Sequence, residues 1–270
     1  MPLVLTTTVS LYRLRCVARR QRCDTARGVW ISQVPLLPAH RVICIDETHF
    51  NRQSMMRKRG WFLRGMERQI FDTFFSSLDF TICAACDING FIPDACAIFE
   101  KERVGMNTFD MYFELYVIPH VQQGDFVLMD NASTHNRREM IRQRLEAVGA
   151  QAVFIPQYSP DLNPIEEGFS RLKHYARRHV RLRAELCVQL GNSAGTRAFL
   201  LECLKRSTAS GLLGSYGHSH FDIEGIKRER ELAARAQRAV ARAAVAVVQS
   251  TVNDAIARVY AAALESSMHD

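Results

Sequence analysis

The sequence predicts an α/β protein built on one mixed five-stranded sheet flanked by helices, with a helical C-terminal extension. Three observations predict it. Short apolar runs rich in β-branched residues recur along the first half of the chain. Asn89-Gly90, a hairpin turn signal, separates two of them. Segments with helical apolar spacing separate the later ones, giving the order β, β–β hairpin, α, β, α, β, α. The first three strands can pair antiparallel. The last two need helical crossovers and are expected to run parallel.

Each element has its own reason. Residues 41–46 (RVICID) are almost wholly apolar before the aspartate and read as a buried strand ending at Asp46. Residues 47–69 carry Arg52, Arg57, Lys58, Arg59, Arg64 and Arg68 and read as an exposed basic segment. Strands are expected at 74–87 and, after the turn, at 91–99. Phe109, Tyr112, Phe113, Tyr116 and Val117 fall at helical spacing within 107–121, and Gly124 ends that segment. Residues 125–130 (DFVLMD) form the next buried strand, 136–148 a charged helix closed by Gly149, and 152–155 the last strand, stopped by Pro156. A loop with Pro160 and Pro164 leads into a helix over 164–178. Beyond Arg183 the signal weakens to one short apolar helix at 197–204. Val245, Val248, Val252, Ala255, Val259 and Ala262 then step by three and four as an amphipathic helix, too short a repeat to demand a coiled coil.

Composition bounds the function. The 270 residues include 47% hydrophobic and 23% charged side chains, as in folded globular chains. No apolar run approaches the ~18 residues of a membrane span. The formal charge of +7 permits a polyanionic partner. Residues 1–23 contain five arginines and no acid. A secretory signal is disfavoured because the positive charge follows the apolar stretch. A basic arm or linker remnant over 1–40 fits better than a mitochondrial transit peptide. The eight cysteines are scattered through apolar surroundings and read as reduced core thiols of an intracellular protein. Cys83 and Cys86 form a lone C-x-x-C in a strand-like run, where residues three apart point to opposite faces, which disfavours zinc.

Three carboxylates stand where chemistry gathers in an open sheet, outside the carboxyl ends of strands. Asp46 and Asp130 end two strands, and Glu166 lies in the first turn of the 164–178 helix. Each also has a local role available: strand-end turns for the aspartates, and for Glu166 the third position of a capping box opened by Asn163 and Pro164. Glu167 is the rival of Glu166, rotated ~100° around the helix. Three acids in one pocket repel unless a cation neutralises them, and oxygen ligands favour Mg²⁺ or Mn²⁺.

The strings IDET (45–48), RKRGW with Gly65 four residues on (57–65), MDNASTH (129–135) and YSPDLNPIEEGFSRLK (158–173) resemble the DDE catalytic domain of mariner-superfamily and related insertion-sequence transposases. The likeness covers about 41–180, within an expected catalytic domain at 41–185 followed by a helical extension at 186–270. It implies an RNase H-like fold and carries the family's metal ligands to Asp46, Asp130 and Glu166. Thirty-five residues lie between the last two. It implies two Mg²⁺ or Mn²⁺ ions, DNA cleavage and strand transfer, and transposon ends and target DNA as partners. A homodimer and no membrane partner are also expected, with a nuclear setting in a eukaryote or a cytoplasmic or nucleoid one in a bacterium.

Around the acids, Asn131, His135, Tyr158, Ser159 and Asn163 are candidate supports. Lys173, His174, Arg177, Arg178, Arg181 and Arg183 form a basic stripe suited to backbone phosphates. Ser170, Lys173 and Arg177 share the Glu166 face. Two features depart from the family pattern. Gln157 stands where proline is common, and the 45 residues before Asp46 show no helix-turn-helix pattern, so a truncated or fragmentary copy is expected. The alternatives are a non-catalytic transposon-derived DNA-binding protein and an RNase H-like nuclease with another substrate.

Overall fold

The structure, a computed structural model, describes residues 23–55, 79–101, 104–130, 135–238 and 240. The Arg-rich start, the RKRGW motif, Asn131, the His135 side chain and the stepped valines at 245–262 lie outside the described residues or side chains. The described chain falls into two compact units, one ending at Asp222 and one starting at Ile223.

In the first unit, α1 (Asp24–Gln33) precedes β1 (Val42–Asn51) and α2 (Arg52–Met55). Then come β2 (Asp79–Asp87), β3 (Gly90–Phe91), β4 (Ala97–Glu100), α3 (Met106–Tyr112) and β5 (Phe126–Met129). The remaining elements are α4 (His135–Ala147), β6 (Gln151–Phe154), α5 (Pro164–Arg178), α6 (Val180–Leu190), α7 (Asn192–Ser207) and α8 (Leu213–His218). The strand order is β3-β2-β1-β5-β6, with β4 also on β2. β1, β2, β3 and β4 pair antiparallel, while β1–β5 and β5–β6 are parallel. This is the mixed, helix-flanked sheet that the sequence predicts.

Four details differ from expectation. The sheet has six strands, because the returning leg is split. Pro93 has no N–H for the ladder and opens a single 3₁₀ turn (Pro93–Ala95) between β3 and β4. β1 does not stop at Asp46 but runs to Asn51, with Thr48 and Phe50 buried while Glu47, His49 and Asn51 are exposed. The helix expected over 107–121 keeps α-geometry only to Tyr112, then widens into a π-turn (Phe113–Val117) and tightens to 3₁₀ at Pro119. α1 has no counterpart in the expected elements, and α6 and α8 are not singled out at or within the helical extension expected over 186–270.

The sheet separates two packed layers. On one face Ile43, Ile45, Val127 and Met129 meet Tyr112, Phe113, Ile141 and Leu145 of the α3–α4 side. On the other, α5 packs on β1 and β2 and is itself covered by α7 and α8. Its buried Ile165, Phe169, Leu172 and Ala176 recur at helical spacing. Each large apolar side chain among them contributes about 1.5–3 kcal/mol by leaving water. Phe169 stacks on Phe91 at 5.8 Å, which ties the helix to the hairpin. The turn before Phe91 needs Gly90: its φ is +130°, and a Cβ there would lie 2.6 Å from Thr208 Oγ1.

The seven described cysteines are free thiols. Cys83 and Cys86 face opposite layers: Cys83 lies in the α3–α4 core, whereas Cys86 faces Cys44. The Tyr216 hydroxyl of α8 reaches this second cluster, donating to the Val42 carbonyl at 2.8 Å. No described helix is long and apolar enough to cross a membrane. In the second unit, 224–238 is helical.

Candidate active site

The parallel register of β1 and β5 builds the first half of the site. Cys44 pairs with Leu128, so Asp46 and Asp130 stand two residues further on along adjacent strands. Asp46 lies within β1, while Asp130 sits just past the end of β5. The sheet thus presents both aspartates at one end, as their sequence positions suggest.

The second half is the loop from Pro156 to Asn163. Ile155 N–H donates to the Met129 carbonyl, which fixes the loop's start beside Asp130. Tyr158 takes a positive φ of 57°, an uncommon conformation for a residue with a Cβ. Ser159 is fully buried, and its hydroxyl donates to the Gln157 carbonyl at 3.2 Å. The 3₁₀ turn Pro160–Leu162 follows. Asn163 then acts in two directions. Its Oδ1 accepts from Ile165 N–H and caps α5, while its Nδ2 donates to Asp46 Oδ2 at 3.4 Å. With Pro164 at N1 and two acids in the first turn, α5 starts where Glu166 faces the aspartates.

Asp46 feels the charge of both other acids. Burial pushes the Asp46 carboxyl up to about 7, opposed by a hydrogen bond from Glu47 N–H at 2.8 Å. Glu166, Asp130 and Glu47 raise it further through like charge. Burial also raises Glu166, Lys173 lowers it, and Asp130 raises it. Lys173, one helical face along, is itself lowered by burial against the pull of Glu166. Its ammonium lies 6.0 Å from the centre of the Phe50 ring. Glu167 points elsewhere, to His218 Nδ1 of α8 at 2.8 Å.

The donor set fits a hard divalent cation: oxygen ligands only, with like charge adding to the burial that raises half-buried Asp46. Among the described residues, no three acidic, histidine or cysteine side chains already stand as a closed ligand cluster. Closure would need the acids to draw together around the ion.

A cleft of about 180 Å³ opens beside Asp46 and Asp130. Its far wall is apolar, with Val104, Phe109, Met129 and Phe154, and Glu47 and Arg138 line its edges. Arg138 and Arg142 lie over the Phe154 ring at 5.4 and 5.5 Å. Sequence reasoning missed Glu47 and Arg138. Glu47 could have been found by continuing the alternation past Asp46. Arg138 gave no signal beyond being one more charge on a charged helix.

The expected basic stripe is divided. His174, Arg178 and Arg181 are exposed. His174 and Arg178 line a wide groove with Ser170, Arg171 and Tyr175. Arg177 is half-buried and donates to the Ser54 carbonyl at 2.9 Å, joining α5 to α2. Arg183 does not belong to the stripe: it is buried, and its Nε donates to Thr196 Oγ1 of α7.

No curated protein matches the sequence. Several solved structures are similar. The Mos1 strand transfer complex aligns at 19% identity over 76% of this chain and 65% of that chain, with a TM-score of 0.47. The mariner Mos1 paired end complex with Mg aligns at 20% identity over 76% and 66%, with a TM-score of 0.46. The catalytic domain of Mos1 mariner transposase aligns at 16% identity over 74% and 97%, with a TM-score of 0.40. The chain therefore spans just under two thirds of the Mos1 chain in the first of these. The profile of the DDE superfamily endonuclease family matches residues 41–186, just over half of the chain, and covers all three acids. The chain belongs to the DDE superfamily endonuclease family.

Proposed function

We propose that this chain performs metal-dependent phosphoryl transfer on DNA as the catalytic part of a transposase, with Asp46, Asp130 and Glu166 as the metal ligands. One observation carries the reading: Asp130 on the adjacent strand and Glu166 on a capped helix lie close enough to half-buried Asp46 for their like charge to add to the burial that raises its carboxyl. Two Mg²⁺ or Mn²⁺ ions bound there would neutralise the acids, activate water or a 3′-hydroxyl, and stabilise the leaving oxygen.

The chain's own residues do the rest. Asn163 holds one Asp46 oxygen and Glu47 N–H holds the other, so the carboxylate is oriented before any ligand arrives. Lys173 lowers the Glu166 carboxyl against the burial that raises it, and would put positive charge beside the scissile phosphate. His174, Arg178 and Arg181 offer exposed positive charge for backbone phosphates, which positions DNA without reading its sequence. The cleft's apolar wall removes water next to the acids and strengthens each charge interaction there.

The substrates proposed are transposon ends and target DNA, handled by a pair of chains. Nicking of supercoiled plasmid in Mg²⁺ or Mn²⁺, compared with an RNA–DNA hybrid, tests the reading. Cleavage of DNA by the wild type, its loss in Glu166→Gln, and its persistence in Glu167→Gln are expected. Cleavage of the hybrid alone would assign another nuclease activity. DNA binding with no metal-dependent cleavage would make the chain a binding protein.

A further inference from the structure

We infer that Arg27 is a positioning residue for the acid-bearing loop, acting through Asp161. The inference rests on the reading of Asp46, Asp130 and Glu166 as metal ligands. Arg27 lies on α1, before the family-matched region, in a segment whose arginines read as a solvated arm. Yet it is 6% exposed. Its guanidinium makes two parallel bonds to one carboxylate, Nη1 to Asp161 Oδ1 at 3.0 Å and Nη2 to Asp161 Oδ2 at 2.6 Å. A fork of this kind fixes orientation as well as distance, which a lysine cannot reproduce.

Asp161 is the middle residue of the 3₁₀ turn Pro160–Leu162. The turn is closed on both sides, by Leu162 N–H to the Ser159 carbonyl and Asn163 N–H to the Pro160 carbonyl, each at 3.0 Å. It therefore moves as one piece with Asn163. Asn163 both holds Asp46 and caps α5, whose first turn carries Glu166. Moving Asp161 moves the cap, and moving the cap shifts Glu166 relative to Asp46. A purely structural pair could sit at any surface of the domain. This one grips the rigid turn two residues from the side chain that holds Asp46 and caps the helix of Glu166. Removing Asp161 leaves the buried Arg27 charge uncompensated, and removing either partner frees the turn. Loss of a group that orients a metal ligand lowers metal affinity by ~10–100-fold.

The test uses the full chain and the variants Arg27→Ala, Arg27→Lys, Asp161→Ala and the exchange Arg27→Asp with Asp161→Arg. Amide hydrogen exchange over 157–166 reads the turn, and Mn²⁺ binding by calorimetry reads the acids. Expected are faster exchange at 157–166 with the sheet unchanged, and Mn²⁺ affinity ~10–100-fold weaker in both alanine variants. The double alanine variant should be no worse than either single one, since both remove one interaction. Arg27→Lys and the exchanged pair should recover part of the affinity, and they carry the test if Arg27→Ala does not fold. Unchanged exchange at 157–166 overturns the inference. So does faster exchange with unchanged Mn²⁺ affinity. If the wild type binds no Mn²⁺ while Arg27→Ala loosens 157–166, the metal-site reading fails and the grip on the turn stands.

Discussion

Replacing Asp46 by asparagine should change stability with opposite sign at two pH values. The Asp46 carboxyl has an ordinary value of 3.8 and is raised to about 7 in the fold, by burial first and then by Glu166, Asp130 and Glu47. The folded state thus holds this proton more tightly than the unfolded chain. Below about pH 4 both states are protonated and ionisation costs nothing. From about pH 4 to 7 the folded chain keeps a proton that the unfolded chain has lost, so stability falls as pH rises. Above 7 the full cost remains. A shift of about three units corresponds to about 4 kcal/mol at most. Asp46 is only half-buried, so water screens part of this, and about 2 kcal/mol is a fair allowance. Asparagine keeps an acceptor for Glu47 N–H but loses the 3.4 Å bond from Asn163, a loss of about 0.5–1 kcal/mol. In EDTA at pH 8 the variant should therefore be about 1 kcal/mol more stable than wild type, and at pH 5 slightly less stable. Mg²⁺ at ten times its Kd adds about 1.4 kcal/mol to wild type at pH 8 and little to the variant, which reverses their order. Thermal unfolding followed by circular dichroism in the three conditions reads all of this. Equal destabilisation at pH 5 and pH 8 in EDTA would show that the carboxylate is held by structural partners, and the repulsion argument would fall.

Gly195→Ala should destabilise the chain by about 1–3 kcal/mol, because the new Cβ would lie 2.5 Å from the Cys187 Cα and the Leu186 carbonyl, where α6 and α7 touch backbone to backbone. Gly214→Ala, with nothing within 4 Å, should instead add a few tenths to about 1 kcal/mol, and a melting temperature moving the same way in both refutes the packing argument. Tyr216→Phe should cost about 1–2 kcal/mol in urea unfolding by stripping the buried Val42 carbonyl of its donor; a neutral result means another group satisfies that oxygen. Arg178→Ala or Arg181→Ala should each lower the slope of log K against log salt for DNA by about 1, whereas Arg183→Ala, with its side chain turned into α7, should leave that slope unchanged.

What the sequence showed of the site followed from local rules. α5 was legible to the residue because its signals are local: Asn163 as cap, Pro164 at the first position, apolar residues at 165, 169, 172 and 176. The two aspartates were legible because two apolar runs of like pattern carry them at matching positions, and the parallel register of β1 and β5 sets both two residues beyond the Cys44–Leu128 pair. The end of β1 was misread for the opposite reason. Asp46 looks like a terminator by residue type, and only the alternation of Glu47, His49 and Asn51 with Thr48 and Phe50 shows that the strand continues. β3 and β4 merged in expectation because alternation tolerates a proline that hydrogen bonding does not.

The missed features share a different cause. Arg27 and Arg183 both belong to arginine-rich segments, and charge patterning assigns such segments to solvent. Both are buried, because each meets a polar partner that another element supplies: Asp161 from the α5 loop and Thr196 from α7. Periodicity reports which face of its own helix a residue occupies, and nothing about what that face will meet. A buried charge is defined by its partner, so its burial is a property of two distant segments together. For Arg27 those segments lie 134 residues apart. The same logic explains why the acids were easier to find than the groups that hold them. Ligands for a hard divalent cation come from a short list of oxygen donors, carboxylates first among them, whereas a group that holds a turn can be any donor within reach. The proposed metal chemistry would therefore constrain residue type at Asp46, Asp130 and Glu166, and the packing of α1 against the α5 loop constrains it at Arg27. Only the first constraint can be read from one segment at a time.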